Sequence, residues 1–212
     1  MDILDIHTHH AVPQPQGIVA VCISEENRNP KLDPTQRYSI GIHPWDTLLT
    51  TDCTREWETV ERYASEPEIV AIGETGIDLT PKGGPMFRQL QVFKRHIGLS
   101  ERLCKPLVIH DVKGHDIVVG ARRDLKPTQP WAIHGFRGKP EVAEMLVRAG
   151  CMLSFGAEFN PETLRNVPPE VILAETDEAP LDIAEVIARL SDAYGSDLTD
   201  LIKANTRRFL GL

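Results

Sequence analysis

The chain has 212 residues, 41% hydrophobic and 25% charged, which is the balance of an ordinary globular protein able to bury one substantial core. Its net charge of −8 argues against a general coat for duplex DNA, which is normally basic. No apolar run approaches the ~18 residues of a membrane span, so no membrane partner is expected.

The four cysteines, Cys22, Cys53, Cys104 and Cys151, lie far apart with no C-x-x-C. That pattern fits reduced thiols in a cytoplasmic protein better than a disulfide framework or a zinc ribbon. The first predicted strand begins so near Met1 that no signal peptide is expected.

Along the chain, short β-rich runs alternate with helical patterns, which predicts a parallel α/β fold. Strands are predicted at residues 3–7, 17–23, 38–42, 69–74, 106–110, 130–134, 151–155 and 171–175. Eight such strands predict a (β/α)8 TIM-type barrel, formed as a single domain over residues 1–212 and close to the lower size limit for that fold. Residues 11–16, Ala-Val-Pro-Gln-Pro-Gln, cannot form a crossover helix because two prolines interrupt six residues. Residues 24–37, with Pro30 and Pro34, are polar and poorly periodic. The barrel is therefore expected to be shortened or distorted in its first two crossovers. Apolar spacings of three and four predict helices over 86–104 and 139–149, the latter closed by Gly150. Residues 182–194 and 197–209 read as closing helices, the last with Ser196 as its N-cap.

Six residues with metal-ligand chemistry stand at the ends of these predicted strands: His7, His9, Glu74, His110, His134 and Asp177. In a parallel barrel, the C-terminal strand ends converge on one face, so residues far apart in sequence can meet there. Asp5, His7 and His9 alternate, so one strand can present all three on one face, with Asp5 below the pair to orient a ligand. An H-x-H pair is a weak signal by itself; four further strand-end ligands make it a metal site. Glu74 ends a run otherwise too apolar to host a charge, and a carboxylate can bridge two metals. His110 and His134 occupy equivalent places and suggest a second metal. Asp177 closes the set as a ligand and as the acceptor of a proton from an attacking water; Glu175 shares its parity and lies deeper. Two divalent ions are expected. Nitrogen and carboxylate donors without thiolates suit Zn, Mn, Fe or Co, and Mg less well.

Cationic or hydrogen-bonding groups follow the same strand ends: His43 in Gly41-Ile42-His43-Pro44-Trp45, Lys113, Arg137 and Lys139. Together they are candidates to hold a substrate phosphate without making the whole surface basic. His96 falls in a helical pattern and reads as structural, and His10 as an exposed loop residue. There is no G-x-S-x-G and no cysteine with a suggestive partner, which excludes those nucleophile motifs.

These segments, taken in order, resemble the TatD family of metal-dependent deoxyribonucleases, within the amidohydrolase-like barrels. They are Asp5-Ile6-His7-Thr8-His9, Gly41-Ile42-His43-Pro44, Ala71-Ile72-Gly73-Glu74-Thr75-Gly76-Ile77-Asp78, Val108-Ile109-His110, His134-Gly135-Phe136, Leu153-Ser154-Phe155-Gly156, Glu175-Thr176-Asp177 and Asn205-Thr206-Arg207-Arg208-Phe209. By that resemblance His7, His9, Glu74 and Asp177 bind one metal, and Glu74, His110 and His134 the other. The catalytic pair is then Asp177 and Glu74. The chain resembles a compact branch. Val112 stands where many members carry an arginine, with Lys113 next, and the segment after the last aspartate is Glu178-Ala179-Pro180.

The resemblance implies a monomeric deoxyribonuclease that cleaves DNA phosphodiesters at ends or in single strands with a metal-activated water. The alternative is a metal-dependent hydrolase of a small amide, ester or phosphoester. A non-catalytic binding protein on the same scaffold ranks third, because a decayed enzyme would be expected to lose at least one ligand.

Overall fold

The structure, a computed structural model, describes residues 2–48 and 53–212. Eight parallel strands close on themselves in sequence order, β1 Asp5–Thr8, β2 Gly17–Cys22, β3 Arg37–Gly41, β4 Ile69–Asp78, β5 Leu107–Val112, β6 Trp131–Ile133, β7 Cys151–Phe155 and β8 Ile172–Ala174. The closing pair is β1 with β8, joined at Asp5 and Ala174. The TIM-type barrel predicted from the strand count is the observed fold. No helix among the described residues is long and apolar enough to cross a membrane.

The first two crossovers contain no helix, as the prolines predict. The third opens with a short 3-10 turn, Pro44–Leu48, and then carries helix α1, Thr54–Tyr63. The remaining helices are α2 Met86–Leu103, α3 His115–Leu125, α4 Pro140–Arg148, α5 Pro161–Asn166, α6 Ile183–Tyr194 and α7 Thr199–Leu210. Apolar periodicity located α2, α4, α6 and α7 but not α1, α3 or α5. In α1 the buried face is built partly from Glu56 and Thr59, which an apolar pattern does not register. Glu56 is buried because Arg28 clamps it through Nε and Nη2 at 2.8 and 2.6 Å. Helix α5 has only six residues and is set by its cap, the Asn160 side chain accepting from the backbone of Glu162 and Thr163 ahead of Pro161. Ser196 does not cap α7; Asp197 closes that turn by accepting from the Thr199 N–H and hydroxyl. Gly150, at φ +88°, follows α4 in the left-handed conformation expected after a helix end.

The core lies in two layers. The larger separates the barrel from its helices and includes Ile40, Ile72, Phe93, Trp131, Phe155 and Leu190. The smaller takes Ile6, Ala71, Val108, Ala132, Met152 and Leu173 from six strands, with Phe209 of α7 packed against them. Val108, Ala132 and Leu173 each lie two residues before a polar residue at the mouth (His110, His134 and Glu175), so this layer is the floor of the site.

Two strands break the simple alternation. β1 places three residue steps (Asp5 to Thr8) against two in β2 (Gly17 to Val19). β4 places Ile72 to Thr75 against Leu107 to Ile109. Each extra residue is a bulge that re-aims the side chains beyond it.

A candidate dinuclear metal centre

Glu74 is the hub of the mouth, and its two oxygens face opposite halves of it. Oε2 is 3.3 Å from His7 Nε2 and 3.4 Å from His9 Nε2. Oε1 is 2.7 Å from His134 Nε2, 2.9 Å from His110 Nδ1 and 3.0 Å from His43 Nε2. Asp177 completes the first half, with Oδ1 3.9 and 3.8 Å from the same nitrogens of His7 and His9. All six expected ligands therefore converge.

The backbone explains how Glu74 reaches the centre. Gly41 of β3 lies so close to β4 that a Cβ there would come within 2.5 Å of the Glu74 carbonyl oxygen. Gly73, at φ +132°, adopts a conformation that L side chains rarely enter, and a Cβ on it would collide with the Val108 carbonyl. Both glycines let the bulged segment of β4 tuck between its neighbours. β4 and β5 also run past Glu74 and His110, to Asp78 and Val112, so these two ligands lie inside strands and not at their ends. Asp177 has φ +52°, which aspartate tolerates better than most residues. Its N–H donates to the His7 carbonyl and its own carbonyl accepts from His9, so β1 and the segment after β8 hold each other in register.

The electrostatics suit cations. Burial opposes ionisation of Glu74, but the imidazoles of His134 and His7 and the hydrogen bonds from His110 and His134 outweigh it and hold the carboxyl well below the usual range. Burial, reinforced by His134, pushes His7 toward its neutral form. His7 is fully buried, and neither of its ring nitrogens has a hydrogen-bond partner. A buried imidazole left in that state is costly unless another ligand meets it. Burial opposes protonation of His134 and His9 as well, but Glu74, with Glu175 beside His134 and Asp177 beside His9, outweighs it and raises both, so these rings carry positive charge that a cation would replace. Neutral His7, ionised Glu74 and the convergent nitrogen and oxygen atoms form a donor set that fits divalent metal.

A supporting ring holds these groups. Asp78 Oδ2 lies 3.2 Å from His110 Nε2 and accepts from Trp45 Nε1 at 2.6 Å, while its Oδ1 accepts from the Thr80 N–H at 2.8 Å. Burial raises the Asp78 pKa, but the bonds from Thr80, Trp45 and His110 prevail and draw it down to about 2. An ionised Asp78 accepts from His110 Nε2–H, so that Nδ1, which faces Glu74, is the nitrogen that would turn to a metal once its own proton is displaced. Glu175 does the same for His134, with Oε1 3.4 Å from Nδ1 and held by the Gly135 N–H at 2.6 Å. Sequence reasoning placed Glu175 below the site and missed Asp78. The signal was present, since Asp78 lies four residues after Glu74 on one strand and so shares its face.

Asp5 acts differently from the alternation argument. Its Oδ1 accepts from the backbone of His7 and Thr176, and its Oδ2 from the Thr176 hydroxyl at 2.6 Å. It positions His7 through the main chain and ties β1 to the segment after β8. Burial pushes its pKa up to about 7 against those hydrogen bonds.

The substrate-side candidates separate. His43 enters the centre, and its Nδ1 accepts from the Trp45 N–H at 3.1 Å. The neutral ring therefore carries its proton on Nε2, pointed into the site. Arg137 is exposed, paired with Glu158 at 2.5 Å. It lines, with Arg189, Glu175 and Asp177, a cavity of about 440 Å³ beside the centre. The centre itself opens into a cavity of about 250 Å³ that adds Cys22, Trp45, Asp46 and Glu178 to its walls. Lys113 and Lys139 are exposed and line neither cavity. His10 is half-buried on the loop after β1. His96 is structural: it is buried in α2, its Nε2 accepts from the Ile42 N–H at 3.1 Å, and its Nδ1 donates to the Val92 carbonyl at 2.8 Å.

Known proteins share both fold and sequence with this chain. The family model "TatD related DNase" matches residues 29–211. A metal-dependent hydrolase of Bacillus subtilis, YabD, is 26% identical over 80% of this chain and 75% of its own length. A protein of Erwinia billingiae named 3'-5' ssDNA/RNA exonuclease TatD is 29% identical over 65% of this chain and 55% of its own. Among solved structures, the TatD homologue YJJV of Escherichia coli superposes with a TM-score of 0.80 at 20% identity, covering 99% of this chain and 98% of that one. Matched along most of its length, and carrying the converging ligand set of a metal-dependent hydrolase, the chain belongs to the TatD-related DNase family.

Proposed function

We infer that the protein is a deoxyribonuclease that hydrolyses DNA phosphodiester bonds, acting as a monomer on ends or single strands, with residues 1–212 forming one catalytic unit. The observation that carries the reading is the placement of Glu74, with one oxygen toward His7 and His9 and the other toward His110 and His134. We assign His7, His9, Glu74 and Asp177 to one divalent ion and Glu74, His110 and His134 to a second. Zn, Mn, Fe, Co and Mg are the candidate metals, the first four suiting the imidazole nitrogens better. When bound, such ions supply Lewis acidity toward a phosphoryl oxygen and a nucleophilic water at neutral pH.

The chain's own groups divide the remaining work. Asp177, partly exposed to the cavity, takes the proton that the attacking water gives up. Glu74 stays ionised throughout and fixes the spacing of the two halves. His43 Nε2–H, aimed into the centre, donates to a substrate oxygen. Arg137 stands one cavity away, where it can meet a flanking phosphate; Lys113 and Lys139 offer longer-range attraction. Support for DNA as substrate comes from the relatives, one of which is named an exonuclease on single-stranded DNA and RNA. The wide spacing of the four cysteines, with no C-x-x-C, supports a reducing, cytoplasmic setting.

The test pairs elemental analysis after reconstitution with a cleavage assay on labelled single- and double-stranded DNA. Two metals per chain and metal-dependent shortening of the single strand are expected. Turnover of a small phosphodiester by fully loaded protein, with no DNA cleaved, would overturn the DNA reading and favour the small-substrate hydrolase.

A further inference from the structure

Among the described residues few large apolar side chains are exposed, and several of them crowd one edge of the mouth. Trp45 is 41% exposed and Phe87 66%, with Leu48, Leu79 and Met86 also open to solvent. They lie on the 3-10 turn after β3 (Trp45, Leu48), just past β4 (Leu79) and on the first turn of α2 (Met86, Phe87). The turn and the stretch from β4 into α2 are tied together. The Gly84 N–H donates to the Pro44 carbonyl at 3.2 Å, and Arg88 Nη1 to the Thr47 carbonyl at 3.3 Å. Gln89 locks the base of the segment, accepting from the Asp78 N–H and donating to the carbonyls of Asp78 and Gly84. The rim is thus a braced part of the fold.

Trp45 is also a wall of the metal cavity. Its indole stands edge-on to His43 and His110, with ring centroids 4.7 and 6.0 Å away, and its N–H is fixed on Asp78. Cations accompany both aromatic rings: Lys82 Nζ lies 4.4 Å from the Trp45 ring centroid, and Arg88 Cζ lies 5.7 Å from that of Phe87. On a protein of net charge −8, this edge pairs aromatic faces with positive groups beside the reacting centre. An oriented aromatic face with an adjacent cation matches a nucleobase and its phosphate, and base stacking tolerates any sequence because every base has a π-face.

Building on the nuclease reading above, we propose that Trp45 is a stacking platform for the base next to the scissile phosphate of a single strand, with Lys82 meeting that nucleotide's phosphate and Phe87 and Arg88 continuing the track outward. Exposed Lys82 leaves the ring face as the base arrives. An unstacked base is required, so a duplex interior cannot use the platform, while a single strand or a frayed end can.

Tryptophan emission tests this on the metal-loaded protein. Trp57 and Trp131 are 8% and 0% exposed, so Trp45 is the tryptophan within reach of an added base. Hydrolysis-resistant phosphorothioate oligothymidylate is titrated in, and an abasic phosphorothioate strand of equal length serves as the control. The thymidylate strand should quench emission saturably and the abasic strand should not. Trp45→Ala should weaken binding of the thymidylate strand at least about fivefold by anisotropy. Trp45→Phe, which lacks the indole N–H but keeps a ring, should bind within about twofold of wild type, which separates stacking from the Asp78 contact. Equal binding of both strands with unchanged emission overturns the platform and leaves the nuclease reading standing, provided that unmodified DNA is cleaved. Absence of both binding and cleavage overturns the two together.

Discussion

Asp177 illustrates how much chemistry can rest on one residue. The carboxylate is carried on a left-handed backbone position, locked to β1 by two main-chain hydrogen bonds, and faces His7 and His9 at 3.9 and 3.8 Å. Replacing it with asparagine keeps the size and a carbonyl oxygen but removes the charge and the capacity to accept a proton. Asp177→Asn should lower turnover by about 10²–10⁴-fold, the usual contribution of a positioned proton acceptor, with little change in stability. Turnover measured against metal concentration distinguishes the roles, since full recovery at saturating metal would make Asp177 a ligand only. Its identity as a candidate was legible from its place after an apolar run. The contacts that aim it join residues 170 positions apart, and no local pattern encodes them.

At the scale of elements, α2 and β3 are coupled by a single buried imidazole. His96 of α2 accepts the Ile42 N–H just past β3, ahead of His43. Burial, helped by Arg95 and opposed by the Val92 carbonyl, pushes its pKa down to about 4 from 6.5. The unfolded chain therefore binds a proton between pH 6.5 and about 4 that the native protein refuses. Stability should be fully present above pH 6.5 and fall as pH drops toward 4, by about 1.4 kcal/mol per unit and roughly 3 kcal/mol in all from this group. Urea unfolding with chelator present, at pH 7 and 4.5, should show wild type losing about 2–3 kcal/mol more than His96→Gln, which does not titrate. Equal losses would remove His96 as the cause. The helical periodicity around His96 was plain in the sequence, and so was its structural role. Helix α1 escaped notice because its buried face contains Glu56, whose partner Arg28 comes from a distant loop.

For the whole molecule, metal and fold should be linked. Ions that bind the assembled centre have no equivalent site on the unfolded chain, so each stabilises by about 2.7 kcal/mol at a hundredfold excess over its Kd. For a protein of this length that is a shift of roughly 5–10 °C per ion. Chelation should lower the melting temperature by at least that amount, and added Zn or Mn should restore it. A melting temperature unchanged between metal-free and metal-loaded protein would contradict a centre built on the buried hub of Glu74. The sequence by itself determined the eight strands, the barrel they close, the missing helices of the first two crossovers and the identity of all six converging donors. These features depend on local apolar pattern, on proline chemistry and on which ligand-type residues follow an apolar run. Only the tertiary structure decided that a bulge in β4 re-aims Glu74, that Asp5 meets Thr176 and the His7 main chain, that Asp78 and Glu175 orient His110 and His134, and that Trp45 walls the cavity. Those outcomes depend on register and on contacts between distant segments, which form only when the barrel closes.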